Sequence, residues 1–186
     1  GGCTRMFDCI YTAHCIRDVC DLACPVHAEI QYWMERCDIK INNPILHCDN
    51  SKIAKAQQLI ESNTGKLVTV KSKDTAEFGD ILSYVAICLH GRGTALTHGI
   101  YKLNFSEFMD EIKHSWQTHS DSNKLEFMKI WANSENYLII VGLDYIKFGD
   151  FESQTLLQLI QSRRSPEKST FVVIPESGSL VGANNS

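Results

Sequence analysis

The sequence predicts a three-layer α/β domain built on a parallel sheet, preceded by a small cysteine-rich metal-binding module. From residue 50 onward, short β-branched or apolar runs alternate with longer segments of helical periodicity, which is typical of βαβ units. The run 137–143 is apolar throughout, as strands covered on both faces of a parallel sheet are. Seven of the eight cysteines lie within the first 48 residues, which sets that segment apart.

Composition supports a globular protein rather than a disordered one. The chain has 186 residues, of which 44% are hydrophobic and 22% charged, with a net charge of −4. No apolar run approaches the roughly 18 residues that a membrane span requires, so we expect no membrane association. Clustered cysteines before a nearly cysteine-free body favour a metal site in a reducing compartment, and we therefore expect a cytoplasmic protein.

The first elements follow from capping and periodicity. The segment 28–36 predicts a helix with Trp33 and Met34 on one side. The segment 50–62 predicts a second helix, which begins at an Asn or Ser cap and ends before Gly65. Alternating β-branched residues at 66–71 predict a strand, and we expect a polar loop over 72–79.

The second half of the chain continues the alternation of helices and strands. Apolar residues at helical spacing from 81 to 89 predict a helix of about four turns. The order that follows is strand 98–103, helix 104–116, helix 123–133, strand 137–143, helix 151–163 and strand 169–174. We divide the chain into a module at 1–48, a domain at 49–176 and a flexible tail at 177–186. Within that domain, Arg163, Arg164 and Lys168 form the densest basic cluster, which we interpret as a solvated helix end.

Three stretches carry a resemblance to a known family: NFSEFMDEIK at 104–113, LIIVGLD at 138–144 and STFVVIP at 169–175. Together with the order of the helices and strands, they resemble the bacterial and phage helicase-loader ATPases of the DnaC/DnaI type, within the AAA+ P-loop superfamily. The resemblance implies a three-layer, P-loop NTPase-like (AAA+/RecA-like) fold. Other doubly wound domains, such as flavodoxin-like ones, share the same alternation and stay open as an alternative.

The residues that handle nucleotide in that family are replaced in this chain. Its phosphate loop, GxxGxGKT, aligns with KSKDTAEFG at 71–79, where the glycines are missing. In this degenerate P-loop, which includes Asp74, the lysine position carries Glu77 and the Ser/Thr position carries Phe78. A carboxylate repels triphosphate, and a phenyl ring cannot ligate Mg²⁺.

The family's acidic pair and its polar sensor are also missing. The pair after the third strand, which holds magnesium, is replaced by Val141 and Gly142. Asp144 comes two residues later, and we do not expect it to substitute. The sensor position at the end of the last strand carries Pro175. The resemblance therefore implies a pseudo-ATPase with no enzymatic activity and no bound ATP.

The cysteine module predicts a metal site. Cys9, Cys15, Cys20 and Cys24 provide four thiolates, enough for a tetrahedral zinc shell that replaces a core too small to stand alone. An iron–sulfur cluster would use the same ligands, and free or disulfide-linked cysteines are the third possibility. Reserve ligands are Cys3 and His27. We interpret Cys37, Cys48 and Cys88 as core residues.

The function that the resemblance implies is a non-catalytic interaction protein of DNA replication in a bacterium, phage or mobile element. Its partner would be a replicative helicase or a competent ATPase paralogue, with DNA possible in the complex. One alternative is a zinc-dependent nucleic-acid-binding protein, although the first 48 residues hold four Lys/Arg against six Asp/Glu, the wrong balance for phosphate binding. A second alternative is an iron–sulfur or redox protein.

Overall fold

The computed structural model describes residues 24–40, 50–90 and 99–177. Helices and strands alternate through these ranges as the sequence predicts. In chain order they are α1 (Pro25–Arg36), α2 (Asn50–Ser62), β1 (Leu67–Ser72), α3 (Thr75–His90), β2 (Ile100–Asn104), α4 (Phe105–Thr118), α5 (Asn123–Ser134), β3 (Tyr137–Val141), α6 (Asp150–Ser162) and β4 (Ser169–Pro175).

The four strands form one sheet in the order β1-β4-β3-β2, and every neighbouring pair is parallel. The prediction of an α/β domain with a parallel sheet is confirmed. Because the strands are parallel, their carboxyl ends share one edge of the sheet, the edge at which ligands bind in open α/β folds. The connection from β1 to β2 crosses the whole sheet, whereas β2, β3 and β4 follow one another as neighbours.

Alternate residues of the strands build two separate cores. One core joins Ile139 and Phe171 to apolar side chains of α1, α2 and α3. The other joins Leu138 and Val172 to side chains of α4, α5 and α6. Successive strand residues point to opposite faces, so a sheet with helices on both sides needs apolar residues at nearly every position. The helix α1, which the sequence analysis assigns to the cysteine-rich module, therefore shares a core with the α/β domain.

The predicted polar loop after β1 is mostly wrong, because α3 begins at Thr75 and only Lys73 and Asp74 connect it to the strand. The backbone N–H of Glu77 donates to Asp74 Oδ1 over 3.0 Å, and that of Phe78 donates to the Asp74 carbonyl over 3.0 Å. Asp74 is thus the N-cap of α3. A polar sequence that resembles a loop is in fact a capped first turn.

Two expectations about individual side chains need correction. The helical periodicity of residues 104–116 predicts that Phe105, Phe108 and Trp116 all lie in the core, but only the first two are buried and Trp116 is 54% exposed. It lies in the last turn of α4 and packs edge-on against Phe151, with ring centroids 4.9 Å apart. Of the three cysteines interpreted as core residues, Cys37 is buried and Cys88 packs partly buried against the core, whereas Cys48 lies outside the described residues. Burial raises the pKa of the Cys37 thiol to about 12.

The second correction concerns Arg163, which is buried rather than solvated, at 3% exposure. Its guanidinium donates to the Ala132 and Glu135 carbonyls over 2.8 and 2.7 Å, at the end of α5. It also donates to Thr170 Oγ1 and to the Ser169 carbonyl. The last carbonyls of a helix lack partners within the helix, so this side chain completes the end of α5 and joins it to β4.

Candidate functional site

The N-terminus of α3 lies at the carboxyl edge of the sheet, where the resemblance places a phosphate loop. The exposed N–H groups and the dipole of a helix N-terminus attract anions. Here the Asp74 carboxylate already accepts one of those N–H groups, and Ser72 Oγ donates to the Asp74 carbonyl over 3.0 Å. A two-residue connection with a carboxylate cap leaves few free amides to surround a phosphate.

The two residues aligned with the phosphate-loop lysine and hydroxyl lie in the first turn of α3. Glu77 pairs with Lys52 of α2, with Nζ and Oε1 2.5 Å apart. Phe78 is buried in the core, and the Lys55 ammonium lies 5.3 Å from its ring centroid. Phe78 therefore has a packing role that the sequence alignment did not assign. Its ring fixes the base of α3 against the sheet.

Packing and backbone conformation at the end of β3 disfavour an acidic pair. Val141 is buried, and a Cβ atom added to Gly79 of α3 would overlap its side chain, so helix and strand are in close contact there. Gly142 has φ of 78°, in the left-handed region that favours glycine. A Cβ atom at Gly142 would also overlap the side-chain oxygen of Asn104, which caps α4. Packing and backbone conformation thus explain why neither position is acidic.

Asp144 makes a contact that the sequence analysis missed. Its Oδ2 accepts a hydrogen bond from Thr75 Oγ1 over 2.9 Å and so links the start of α3 to the loop after β3. At this edge a hydroxyl and a carboxylate therefore meet at Thr75 and Asp144. The sequence alignment instead assigned the hydroxyl position to Phe78 and the acidic positions to Val141 and Gly142. Thr75 and Asp144 are 69 positions apart in the chain, which explains why their proximity could not be read from the sequence. The residue before this hydroxyl is Asp74, so no cation precedes it.

The predicted metal ligands lie mostly outside the described residues. Cys9, Cys15 and Cys20 precede residue 24, as does the reserve ligand Cys3. Cys24 is a half-buried free thiol at the N-cap of α1. Within residues 24–40, 50–90 and 99–177, no group of three or more His, Cys, Asp or Glu side chains could hold a metal ion. The four-cysteine site stays a prediction.

A cavity of about 790 Å³ opens between α1, α5 and β2 and reaches the first turns of α3. We call it the Arg36 pocket; the sequence analysis did not anticipate it. Its aromatic walls are formed by Tyr32, Tyr101, Phe127 and Trp131. Burial, and then the nearby Glu107 carboxylate, raise the pKa of Tyr101 to about 12, so its hydroxyl stays protonated at neutral pH. The volume lies within the range of about 300–1,000 Å³ typical of ligand pockets.

The Arg36 side chain is only 8% exposed and lies among aromatic rings of the pocket. Its guanidinium carbon is 4.1 Å from the Trp131 ring centroid and 4.8 Å from that of Trp33. Nη2 lies 3.3 Å from Glu135 Oε1, which is an ion-pair distance, yet neither Nη2 nor Nε has a hydrogen-bond partner. Each unpaired buried donor costs about 1–3 kcal/mol, and an acceptor brought by a ligand would remove that cost.

No helix among the described residues is long and apolar enough to cross a membrane. Neither a protein-family model nor a curated protein sequence matches the chain.

Proposed function

We propose that this protein is a non-catalytic docking protein of DNA replication in a bacterium, phage or mobile element. It keeps the fold of a helicase loader as a binding surface, and its partner is a replicative helicase or a competent ATPase paralogue. The parallel α/β sheet and the stretches at 104–113, 138–144 and 169–175 support the proposal. The carboxylates at the carboxyl edge of the sheet support the absence of ATPase activity in this proposal.

The observation that carries the proposal is the accumulation of carboxylates around the N-terminus of α3. Asp74 caps the helix, Glu77 lies in its first turn and Asp144 contacts Thr75. Two like charges about 4 Å apart repel by roughly 4 kcal/mol at the effective dielectric constant of a protein surface. A triphosphate at this point would meet acids where a competent ATPase provides a lysine, although Lys52 pairs with Glu77.

This conclusion does not depend on how the phosphate loop is aligned. If Phe78 takes the hydroxyl position, the preceding residue is Glu77. If Thr75 takes it, as its contact with Asp144 suggests, the preceding residue is Asp74. Both alignments put a carboxylate in place of the cation that binds the β- and γ-phosphates. A connection of two residues is also short for a loop whose motif spans eight.

The proposal also assigns a metal-binding role to the cysteine-rich segment. Cys9, Cys15, Cys20 and Cys24 bind zinc, and the module they form contacts the partner, as the amino-terminal region of helicase loaders does. An iron–sulfur cluster on the same thiolates is the alternative.

Calorimetry with Mg-ATP tests the pseudo-ATPase part. We expect no binding isotherm at micromolar nucleotide, because anion binding at α3 is opposed by its capping carboxylate. The matched variant Asp74→Asn keeps an N-cap and removes one charge, so any nucleotide affinity it gains measures the electrostatic contribution. A clear micromolar isotherm for the unaltered protein would refute the proposal.

A pull-down from the native cell, with metal analysis of the same sample, tests the partner and the cofactor. We expect a replicative helicase or an ATPase paralogue that stays bound at high salt, and about one zinc per chain as four thiolates predict. A salt-sensitive shift of DNA in a gel, with no protein partner, would favour the nucleic-acid-binding alternative. A brown sample containing iron would favour the cluster.

A further inference from the structure

The Arg36 pocket combines aromatic surface with unpaired donors, on the side of the sheet where β2 forms the edge. Tyr32 and Phe127, which flank its opening, are 50% and 51% exposed. Soluble proteins seldom expose neighbouring aromatic rings without a binding role. The pocket is also lined by Lys102 and Asn104 of the edge strand, so an extended ligand would lie beside β2.

The unpaired groups of the pocket determine what a ligand must supply. Nε and Nη2 of Arg36 are donors that carry no hydrogen bond. They are adjacent donors on one edge of the planar guanidinium, where a single oxygen or a pair of oxygens can accept from both. The ion pair with Glu135 already neutralises the charge of the guanidinium, so an uncharged carbonyl oxygen fits better than a second carboxylate beside that residue.

The charges around the opening favour a basic ligand. Lys102 pairs with Asp80, and Lys124 pairs with Glu107, so each lysine of the lining has its own acid. Two further acids line the pocket: Asp38, for which no ion pair is found among the described residues, and Glu35, whose carboxylate accepts a hydrogen bond from Gln31. With Arg36, the lining holds three cations and four carboxylates, before Glu135 is counted. A lysine or arginine beside the bound segment would complement this excess of negative charge.

We propose that the Arg36 pocket binds a short, proline-containing basic segment of a protein partner. A proline residue brings a carbonyl acceptor and no N–H group, so it satisfies the donors of Arg36 without burying an unpaired donor of its own. Its ring packs on aromatic side chains, and the extended polyproline conformation is already ordered before binding. The neighbouring basic side chain reaches Asp38 and Glu35. This inference rests on the proposed docking function and names the chemistry of one contact.

Binding requires a small local opening, because Nε and Nη2 are covered in the free protein. The Tyr32 ring lies 5.8 Å from the Arg36 guanidinium carbon, and half of its surface is exposed. The Trp131 and Trp33 rings lie closer to that carbon, at 4.1 and 4.8 Å, so the opening must also involve the contact between Arg36 and these rings.

The test is a titration of the full chain with the synthetic peptide acetyl-Pro-Pro-Lys-Pro-Pro-Arg-amide. The Arg36 Nε–H resonance, observed by nuclear magnetic resonance, should move downfield as the donor gains an acceptor. Tryptophan fluorescence should change in parallel in a Trp116→Phe background, because Trp131 and Trp33 pack on Arg36. A peptide with alanine in place of proline, and one with glutamate in place of the basic residues, should each bind at least about tenfold more weakly.

Variants separate the pocket from the stability of the fold. Phe127→Ala and Asp38→Asn change exposed side chains, so they should keep the fold while lowering peptide affinity about threefold to tenfold. Leu157→Ala, which changes a side chain 55% exposed on α6, is the matched control and should bind as the unaltered protein does.

The inference is overturned if the basic proline peptide does not bind, if the glutamate peptide binds better, or if the Arg36 resonance stays fixed while other residues respond. These outcomes leave the docking proposal intact, because a helicase or paralogue can still be recovered from cells. Conversely, micromolar Mg-ATP binding would refute the pseudo-ATPase proposal whether or not the peptide binds.

Discussion

Replacing Gly142 with alanine should lower the free energy of unfolding by about 2–4 kcal/mol. Two costs add. The residue has φ of 78°, where a side chain costs roughly 1–2 kcal/mol. The new Cβ atom also overlaps the Asn104 oxygen, which accepts the Glu107 N–H over 3.1 Å as the cap of α4. Displacing that cap costs about 0.5–2 kcal/mol.

Urea unfolding, followed by circular dichroism and tryptophan fluorescence, measures this loss. For a domain of this size, each kcal/mol lowers Tm by about 2–4 °C, so thermal melts should show a fall of roughly 4–16 °C. A double-mutant cycle with Asn104→Ala separates the two costs. In that background Gly142→Ala should cost only the backbone strain of about 1–2 kcal/mol. A loss below about 1 kcal/mol, or a loss independent of Asn104, would refute the reasoning.

Three further predictions concern buried groups and the carboxyl edge. Arg163→Met should lower the free energy of unfolding in urea by about 3–5 kcal/mol, because the Ala132, Glu135 and Ser169 carbonyls lose their hydrogen-bond donor. The control Arg164→Met changes an exposed side chain and should cost under about 0.5 kcal/mol. Near-equal losses in the two variants would contradict this prediction. Cys37 has a folded pKa raised from 9.0 to about 12, so the stability it contributes is complete below pH 9 and falls by about 1.4 kcal/mol per pH unit from pH 9 to 12. The fall in stability between pH 9 and 12 should be less steep in Cys37→Ala, and an equally steep fall in that variant would contradict the prediction. Val141→Asp, which places a carboxylate at a position that the resemblance aligns with the magnesium-binding pair, should cost at least about 4 kcal/mol in urea unfolding and produce no nucleotide binding in calorimetry. A stable variant that binds Mg-ATP would contradict our account of this edge.

The spacing of apolar residues was sufficient to predict most of the helices and strands, because helices cover both faces of the sheet. The apolar run over Tyr137–Val141 and the β-branched run over Ser169–Pro175 left little alternative to buried strands. The strand order could not be predicted from these runs, because pairing joins residues as distant as Leu67 and Thr170. Periodicity also could not show where along α4 the core ends, and Trp116 in its last turn lies at the surface.

The candidate sites were harder to predict because their residues meet only in the folded chain. Asp74 looked like part of a polar loop, since a capping aspartate and a loop aspartate occur in similar sequences. Arg163 looked like a solvated basic residue, and nothing local indicated that carbonyls of α5 would surround it. The Arg36 pocket joins Tyr32 and Trp131, which come from two helices far apart in the sequence.

The close packing of α3 on β3 shapes the carboxyl edge of the sheet. Gly79 lets the helix approach Val141 so closely that a Cβ atom at position 79 would overlap the valine side chain, and Phe78 is buried in the same core. The same helix is capped by Asp74 and follows β1 after a connection of only two residues, which is short for a loop that wraps phosphates. An aspartate at position 141 would bury its charge in that contact between α3 and β3. The short connection after β1 and the apolar end of β3 therefore belong to one packing arrangement of α3 on the sheet, and no single substitution would change both.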